Sequence, residues 1–175
     1  HTGGMESALV PPATWPDSAA DLVVVQGPDA LTYLHSQISQ DVRDLPVGES
    51  RWTFVLQPTG KIDALALLTR SDEQTYELRT DPGAGAGLLA RLDRFKIRVD
   101  ARTELVEAVE PLAAELEAAR IERGWPRIGA EIVVGETIPA ETGLTPFAVD
   151  FRKGCYPGQE LVERMDSRGA APPRS

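Results

Sequence analysis

The chain holds one cysteine, Cys155, in the run Phe151-Arg-Lys-Gly-Cys-Tyr-Pro-Gly-Gln-Glu160. A lone cysteine cannot form a disulfide within the chain. Four roles are open to it: nucleophile, ligand contact, metal ligand shared with another chain, or small buried side chain. Pro157 fits the opening of a helix over residues 158–165, with Leu161, Val162 and Met165 as its apolar side. That places the sulfur just ahead of a helix N-terminus, beside unpaired N–H groups that favour a thiolate and can hold an anion. Arg152 and Lys153 add positive charge, and Gly154 and Gly158 allow close backbone approach.

Asp63 is the second candidate. It interrupts an apolar arm, Ile62 to Leu68, where an unpaired buried carboxylate would be costly. It is therefore expected near a sheet face or entrance, either contacting ligand N–H groups or turned to solvent. Arg91, Arg94, Lys96 and Arg98 crowd one short segment. They form either a site for an anionic ligand tail or a solvated basic face. Gln37 and Gln40 fit ligand contacts or an exposed helix end equally well. Tyr33 and Trp52 read as core, and His35 has no evident acid or thiol partner in the sequence. The glycine run Gly83–Gly87 lacks the spacing of a dinucleotide or Walker loop and reads as a helix-entry loop. No metal-ligand run or nucleophile elbow is present in the pattern.

These residues need elements to hold them. Residues 21–25 read as a strand, and residues 27–38 as a helix with Leu31, Leu34 and Ile38 in a stripe. Residues 51–70 read as a hairpin turning at Gln57–Lys61, and residues 74–81 as a further strand. Asp81 and Pro82 look like the cap and first turn of a helix whose buried side is Leu88, Leu89, Leu92 and Phe95. "KIRVD", from Lys96, resumes extended structure. Residues 111–124 give a strong helix pattern, with Leu112, Leu116 and Ala119 on one face and Gly124 as its stop. The order predicts an α+β fold with an antiparallel-rich mixed sheet packed by helices.

The chain's 175 residues and 42% hydrophobic content can fill a core. Its net charge of -9 argues against broad binding to nucleic-acid backbones, which needs a basic face. The start lacks a signal-peptide layout, and no apolar run approaches a membrane span, so a cytoplasmic location is expected. His1–Gly4 read as a tag-like leader ahead of Met5, and the Pro-containing tail "RGAAPPRS" reads as irregular.

The run from Lys153 to Gly169 resembles the signature of the YgfZ-type folate-binding proteins, which are related to the aminomethyltransferase (T-protein) of the glycine cleavage system. The match falls on Lys153, Gly154, Cys155, Tyr156, Gly158, Gln159, Glu160 and Arg164. The segments beginning at Gly27, Leu56, Arg91 and Arg120 resemble the family in the same order. The resemblance runs from about Asp21 to Gly169. It implies a T-protein-like fold, with residues 1–20 irregular, 21–110 an α+β lobe and 111–175 an abbreviated second lobe. The chain resembles a shortened member, lacking a stretch between Val109 and Arg120 and the usual C-terminal barrel.

What the resemblance implies is a tetrahydrofolate-binding accessory protein supporting iron–sulfur cluster maintenance, including tRNA-modifying iron–sulfur enzymes. It makes Cys155 and Asp63 the candidate chemical groups. It makes Asp63, Arg94, Lys96, Lys153, Tyr156, Gln159 and Glu160 the candidate folate contacts. The expected partners are a reduced folate, iron–sulfur enzymes or their assembly factors, and a second copy covering apolar surface left by the short middle. Two other readings stand beside this one: a folate-dependent aminomethyltransferase-like enzyme, and a scaffold that has lost the ligand. T-protein relatives carry an aspartate pair in the hairpin, whereas Ala64 follows Asp63 here, which favours binding over aminomethyl transfer.

Overall fold

The structure, a computed structural model, describes residues 9–12 and 15–169. The leader at His1–Gly4 and the prolines of the tail lie outside the described residues. Five strands form one antiparallel sheet: β1 (Asp21–Gln26), β2 (Ser50–Leu56), β3 (Ile62–Asp72), β4 (Thr75–Thr80) and β5 (Arg102–Val106). Their order across the sheet is β2-β3-β4-β1-β5, and every neighbouring pair is antiparallel. The expected α+β class with an antiparallel sheet is what the chain adopts.

The helices are α1 (Ala30–Gln37), α2 (Gly85–Arg94), α3 (Ala114–Arg123), α4 (Thr145–Ala148) and α5 (Gln159–Gly169). Strand β1 alternates buried and half-buried positions, the pattern of a sheet covered mainly on one face. By contrast, β3 is buried almost continuously from Ala64 to Leu68. Two cores explain this. On one face, Ala64, Ala66 and Leu68 pack with Leu34, Ile38, Leu88 and Leu92 from α1 and α2 and their flanks. On the other, Leu65 and Leu67 pack with Trp52, Trp125, Ile132, Leu144 and Val162, which come largely from the second half of the chain.

Three local expectations change. The α2 helix starts at Gly85, not at Asp81 and Pro82, and the Asp81 side chain does not cap it. The Asp81 carboxylate instead accepts from the distant Ile128 N–H, while the turn at residues 81–84 is closed by the Ala84 N–H donating to the Asp81 carbonyl. The segment after α2 is a loop that includes Arg98 at φ 56, and extended pairing resumes only at Arg102. The last helix opens at Gln159, two residues after Pro157.

Candidate functional site

Glycine at 158 decides how the cysteine loop meets the sheet. Its φ is +86, and a β-carbon there would lie 2.6 Å from the Gln57 carbonyl oxygen and 2.8 Å from Leu56 Cβ. Only glycine permits that approach without strain. The hairpin turn answers from its own side, since a β-carbon on Gly60 would meet the Leu161 side chain at 2.5 Å. The start of α5 thus sits directly on the β2–β3 turn, and Cys155 stands exposed on the loop before it.

The other motif residues divide by burial. Lys153 is only 4% exposed, and its ammonium donates to the carbonyls of His35, Ile38 (2.7 Å) and Gln40 (3.4 Å). These carbonyls close the C-terminal end of α1, where cations are favoured. Burial pulls the Lys153 ammonium down to about 8, with Asp41 working the other way. Its nitrogen also lies 5.1 Å from the centre of the buried Tyr156 ring. Burial raises the Tyr156 phenol. Gln159 donates to Glu163 (3.2 Å), and Glu160 accepts from Arg164 (3.3 Å), both on the helix surface. Lys153 and Tyr156 therefore brace α1 and the loop, while Cys155 and Glu160 face outward.

Asp63 lies at the start of β3, held from two sides. Gln57 Nε2 donates to Asp63 Oδ1 at 2.9 Å, and Arg91 Nε stands 3.5 Å from Oδ2. Arg91 is buried, donating to Gln37 Oε1 (2.9 Å) and to the Leu56 carbonyl (3.2 Å). Its guanidinium lies 4.6 Å from the Phe95 ring centre. Burial lowers the Arg91 guanidinium from its ordinary range, and Asp63 opposes that shift. Asp63, Arg91 and the more exposed Arg94 line a cleft of about 370 Å³ with Gly83, Gly87 and Ile128. Lys96 does not join them. It donates to the Ala101 carbonyl (2.9 Å) and lies 3.6 Å from Asp93, tying down the loop before β5.

The glycine run at 83–87 carries an internal anion. Asp21 Oδ2 accepts from the N–H groups of Gly83 (3.0 Å) and Gly85 (2.8 Å), and Oδ1 accepts from Ala108 N–H (2.8 Å). A carboxylate of the chain itself thus occupies the entry to α2. His35 Nδ1 lies 3.7 Å from Asp41 Oδ1, an ion pair only when the imidazole is protonated, and makes no hydrogen bond among the described residues. Burial and Lys153 both lower the imidazole below its usual range.

A second cavity was not legible as a site in the sequence. It is a groove of about 250 Å³ lined by Trp15, Trp52, Leu65, Leu116, Trp125 and Asp81, with Arg120 and Arg123 also on its wall. Trp15 and Trp52 lie 5.9 Å apart between ring centres, Trp52 and Trp125 4.7 Å, and Trp125 and Phe147 5.9 Å. The apolar face expected for α3, with Leu112, Leu116 and Ala119, forms one wall of this groove and is not packed into a core. Asp81 is 5% exposed, and its Oδ2 accepts from Ile128 N–H at 2.9 Å. Burial pushes its carboxyl up to about 6, against the pull of that N–H and of Arg127 and Arg120.

The groove and the Asp63 cleft adjoin. Strand β3 sends Leu65 to the groove and Asp63, on the same sheet face, to the cleft. Asp81 and Pro126 line the groove while Gly83 and Ile128 line the cleft, so the Asp81–Ile128 hydrogen bond stands between them. The signal that could have found the groove is the wide spacing of three tryptophans, which only the fold brings together. Among the described residues, no group of three or more His, Cys, Asp or Glu side chains converges to hold a metal. No helix among them is long and apolar enough to cross a membrane.

Comparison with known proteins finds partial likeness. The chain is 28% identical over 188 aligned positions to an uncharacterized protein of Haemophilus influenzae, covering 85% of this chain and 67% of that protein. That alignment is longer than the chain's 175 residues, so the relative carries additional residues within the matched region. The chain is 38% identical over 87 positions to the tRNA-modifying protein YgfZ of Escherichia coli, covering 45% of this chain and 26% of YgfZ. It is 45% identical over 47 positions to the mitochondrial iron–sulfur cluster assembly factor IBA57 homologue of Neurospora crassa, covering 26% and 11% of the two chains. No family model matches the chain. An aminomethyltransferase T of the glycine cleavage system from Bartonella henselae superposes with a TM-score of 0.49 at 25% identity, over 52% of this chain and 25% of that protein. The chain is thus similar, over part of its length, to YgfZ and IBA57 proteins.

Proposed function

We propose that this chain is a tetrahydrofolate-binding accessory protein, an abbreviated relative of the YgfZ proteins, that supports iron–sulfur cluster maintenance and iron–sulfur enzymes acting on tRNA. The reading rests on the tryptophan groove. A pterin ring is flat, apolar on its faces and rich in N–H donors at its edge. Clustered, mutually tilted indoles suit its faces, and the buried Asp81 carboxylate suits its edge. Arg123 at the groove and Arg94 in the adjoining cleft are the cations available to the glutamyl carboxylates. The residues present therefore fit a reduced folate.

Partial likeness to a tRNA-modifying protein and to an iron–sulfur cluster assembly factor supports the accessory role. The extra residues that the Haemophilus influenzae relative carries within the matched region support an abbreviated chain. Ala64 argues against efficient aminomethyl transfer. It is 1% exposed in the first core and carries no carboxylate, so no second acidic group directly follows Asp63 in the strand. In this role Cys155 is the exposed group offered to client proteins, on a loop held rigid by Gly158 and Lys153.

All three tryptophans of the chain line the groove, so their fluorescence reads its occupancy. Titration with tetrahydrofolate is expected to quench the emission, with matching heat in calorimetry. Trp52→Ala and Asp81→Asn are each expected to weaken that binding at least tenfold. No quenching and no heat at millimolar folate would replace this reading with that of a ligand-free interaction scaffold.

A further inference from the structure

The two edges of the sheet are finished differently. The outer edge of β2 is covered by residues 38–40. Ser39 N–H donates to the Phe54 carbonyl (3.1 Å), Phe54 N–H donates to Ser39 Oγ (3.0 Å), and the Gln40 side-chain amide donates to the Trp52 carbonyl (3.1 Å). Ile38 forms a bridge with Val55. At the other edge, β5 pairs with β1 alone, and no segment among the described residues pairs with its outer side. An open edge of this kind is a template for another strand.

The ladder fixes which groups that edge presents. Gly27 N–H bonds to the Gln74 carbonyl, on the β4 side of β1. Alternate residues of a strand direct their backbone groups to opposite neighbours. Leu22, Val24 and Gln26 therefore bond toward β5, where their partners are Val106, Glu104 and Arg102. That leaves Thr103 and Leu105 with N–H and C=O directed outward. Their side chains turn toward α2, with Thr103 Oγ1 donating to Asp93 (2.6 Å) and Leu105 packing at the first core. Arg102, Glu104 and Val106 have exposed side chains on the other face.

We propose that β5 is a self-association edge: a second copy of this chain adds its own β5, antiparallel, about a two-fold axis at Thr103. In that register Thr103 faces Thr103, and the two exchange backbone hydrogen bonds. Arg102 of each copy stands opposite Glu104 of the other, so the axis creates two opposite-charge cross-strand pairs. A register centred on Leu105 puts Glu104 opposite Val106 and Thr103 opposite Glu107, with no ion pair. One centred on Glu104 sets like charges together and brings inward-bonded residues to the seam. Backbone direction and charge together select Thr103. The joined sheet runs continuously through both copies, and none of the groove or cleft residues lies at the seam.

Charge reversal tests the edge on the full chain by sedimentation velocity over a concentration series. Wild type is expected to dimerise. Arg102→Glu and Glu104→Arg each place like charges opposite one another and are expected to raise the dimer dissociation constant roughly tenfold or more. Mixing the two single variants restores both opposite-charge pairs in a heterodimer, so the mixture is expected to associate as wild type does. Hydrogen exchange gives a second readout: Thr103 and Leu105 amides should gain protection as concentration rises. Both substituted side chains are exposed, and circular dichroism checks that each variant stays folded. A wild type that is monomeric throughout overturns the proposal, as do single variants that associate like wild type or a mixture that stays monomeric. Folate titration is independent of all of these outcomes.

Discussion

The carbonyl oxygen of Gln57 lies 2.6 Å from where a side chain on Gly158 would begin. The same Gln57 holds Asp63 through its side-chain amide at 2.9 Å. One hairpin residue thus connects the cysteine loop to the carboxylate of the adjoining cleft.

Gly158→Ala is expected to lose about 2 kcal/mol or more of stability, from the left-handed backbone and the contact with Gln57. Gly154 lies in the same loop, but an added β-carbon there meets nothing within 4 Å. Gly154→Ala should stay within about 0.5 kcal/mol of wild type. Urea unfolding of both variants checks this, and equal losses would show that the approach at Gly158 is not what holds the loop.

Asp81 makes stability depend on pH. Its carboxyl is raised from 3.8 to about 6 by burial, so the folded state binds the proton more tightly than the unfolded state. The stability this gives is fully present below about pH 4 and is lost as pH rises through about 6. Asp81→Asn keeps an oxygen for the Ile128 N–H and should flatten that slope. It should also stabilise the protein at pH 7.5 by about 2 kcal/mol while weakening folate binding. Thermal melts of wild type and variant across pH 4 to 8 give the comparison. A wild-type slope that persists in the variant would assign it to another group.

Lys153→Met removes the cation that meets three carbonyls at the end of α1. Leaving buried acceptors unmatched should cost about 2 to 3 kcal/mol. The loss should appear as faster hydrogen exchange at the C-terminal turn of α1 and at residues 38–40. A variant as stable as wild type would mean that water replaces the ammonium.

Asp63→Asn leaves the buried Arg91 without its carboxylate and should destabilise by about 2 to 3 kcal/mol. Arg94→Ala, at an exposed position, should stay within about 0.5 kcal/mol. Denaturant unfolding separates the two. An Asp63→Asn variant of undiminished stability would make the pair dispensable to the fold.

Cys155→Ser should leave stability unchanged within about 0.5 kcal/mol, because the thiol is exposed. Native Cys155 should react fully with an alkylating reagent without unfolding. In cells lacking their own YgfZ-type protein, the serine variant is expected to support iron–sulfur enzymes less well than wild type. Full complementation by the serine variant would remove the thiol from the proposed role.

Periodicity and turn chemistry were enough for most of the elements, although the segment from Lys96, read as extended, is a loop. The stripe at Leu34 and Ile38, the hairpin at Gln57–Lys61 and the stop at Gly124 are local, and each formed where its residue types required. Boundaries next to buried polar groups were not local. Asp81 has the residue type of a helix cap, but the distant Ile128 amide takes its side chain.

The candidate site shows the same division. Sequence alone marked Cys155, Asp63 and the basic segment as chemical groups, and Gly154 and Gly158 as points of close approach, of which only Gly158 makes one. It could not sort Lys153 from Cys155, because burial depends on where α1 ends in space. It could not find the tryptophan groove, since Trp15, Trp52 and Trp125 are far apart along the chain and meet only when residues 125–162 fold over the outer face of β2 and β3. Side-chain type and spacing determine what a residue can do. Which groups share a cavity, which carboxylate loses its water and which sheet edge stays open are set by packing between distant segments, and only the tertiary structure decided them.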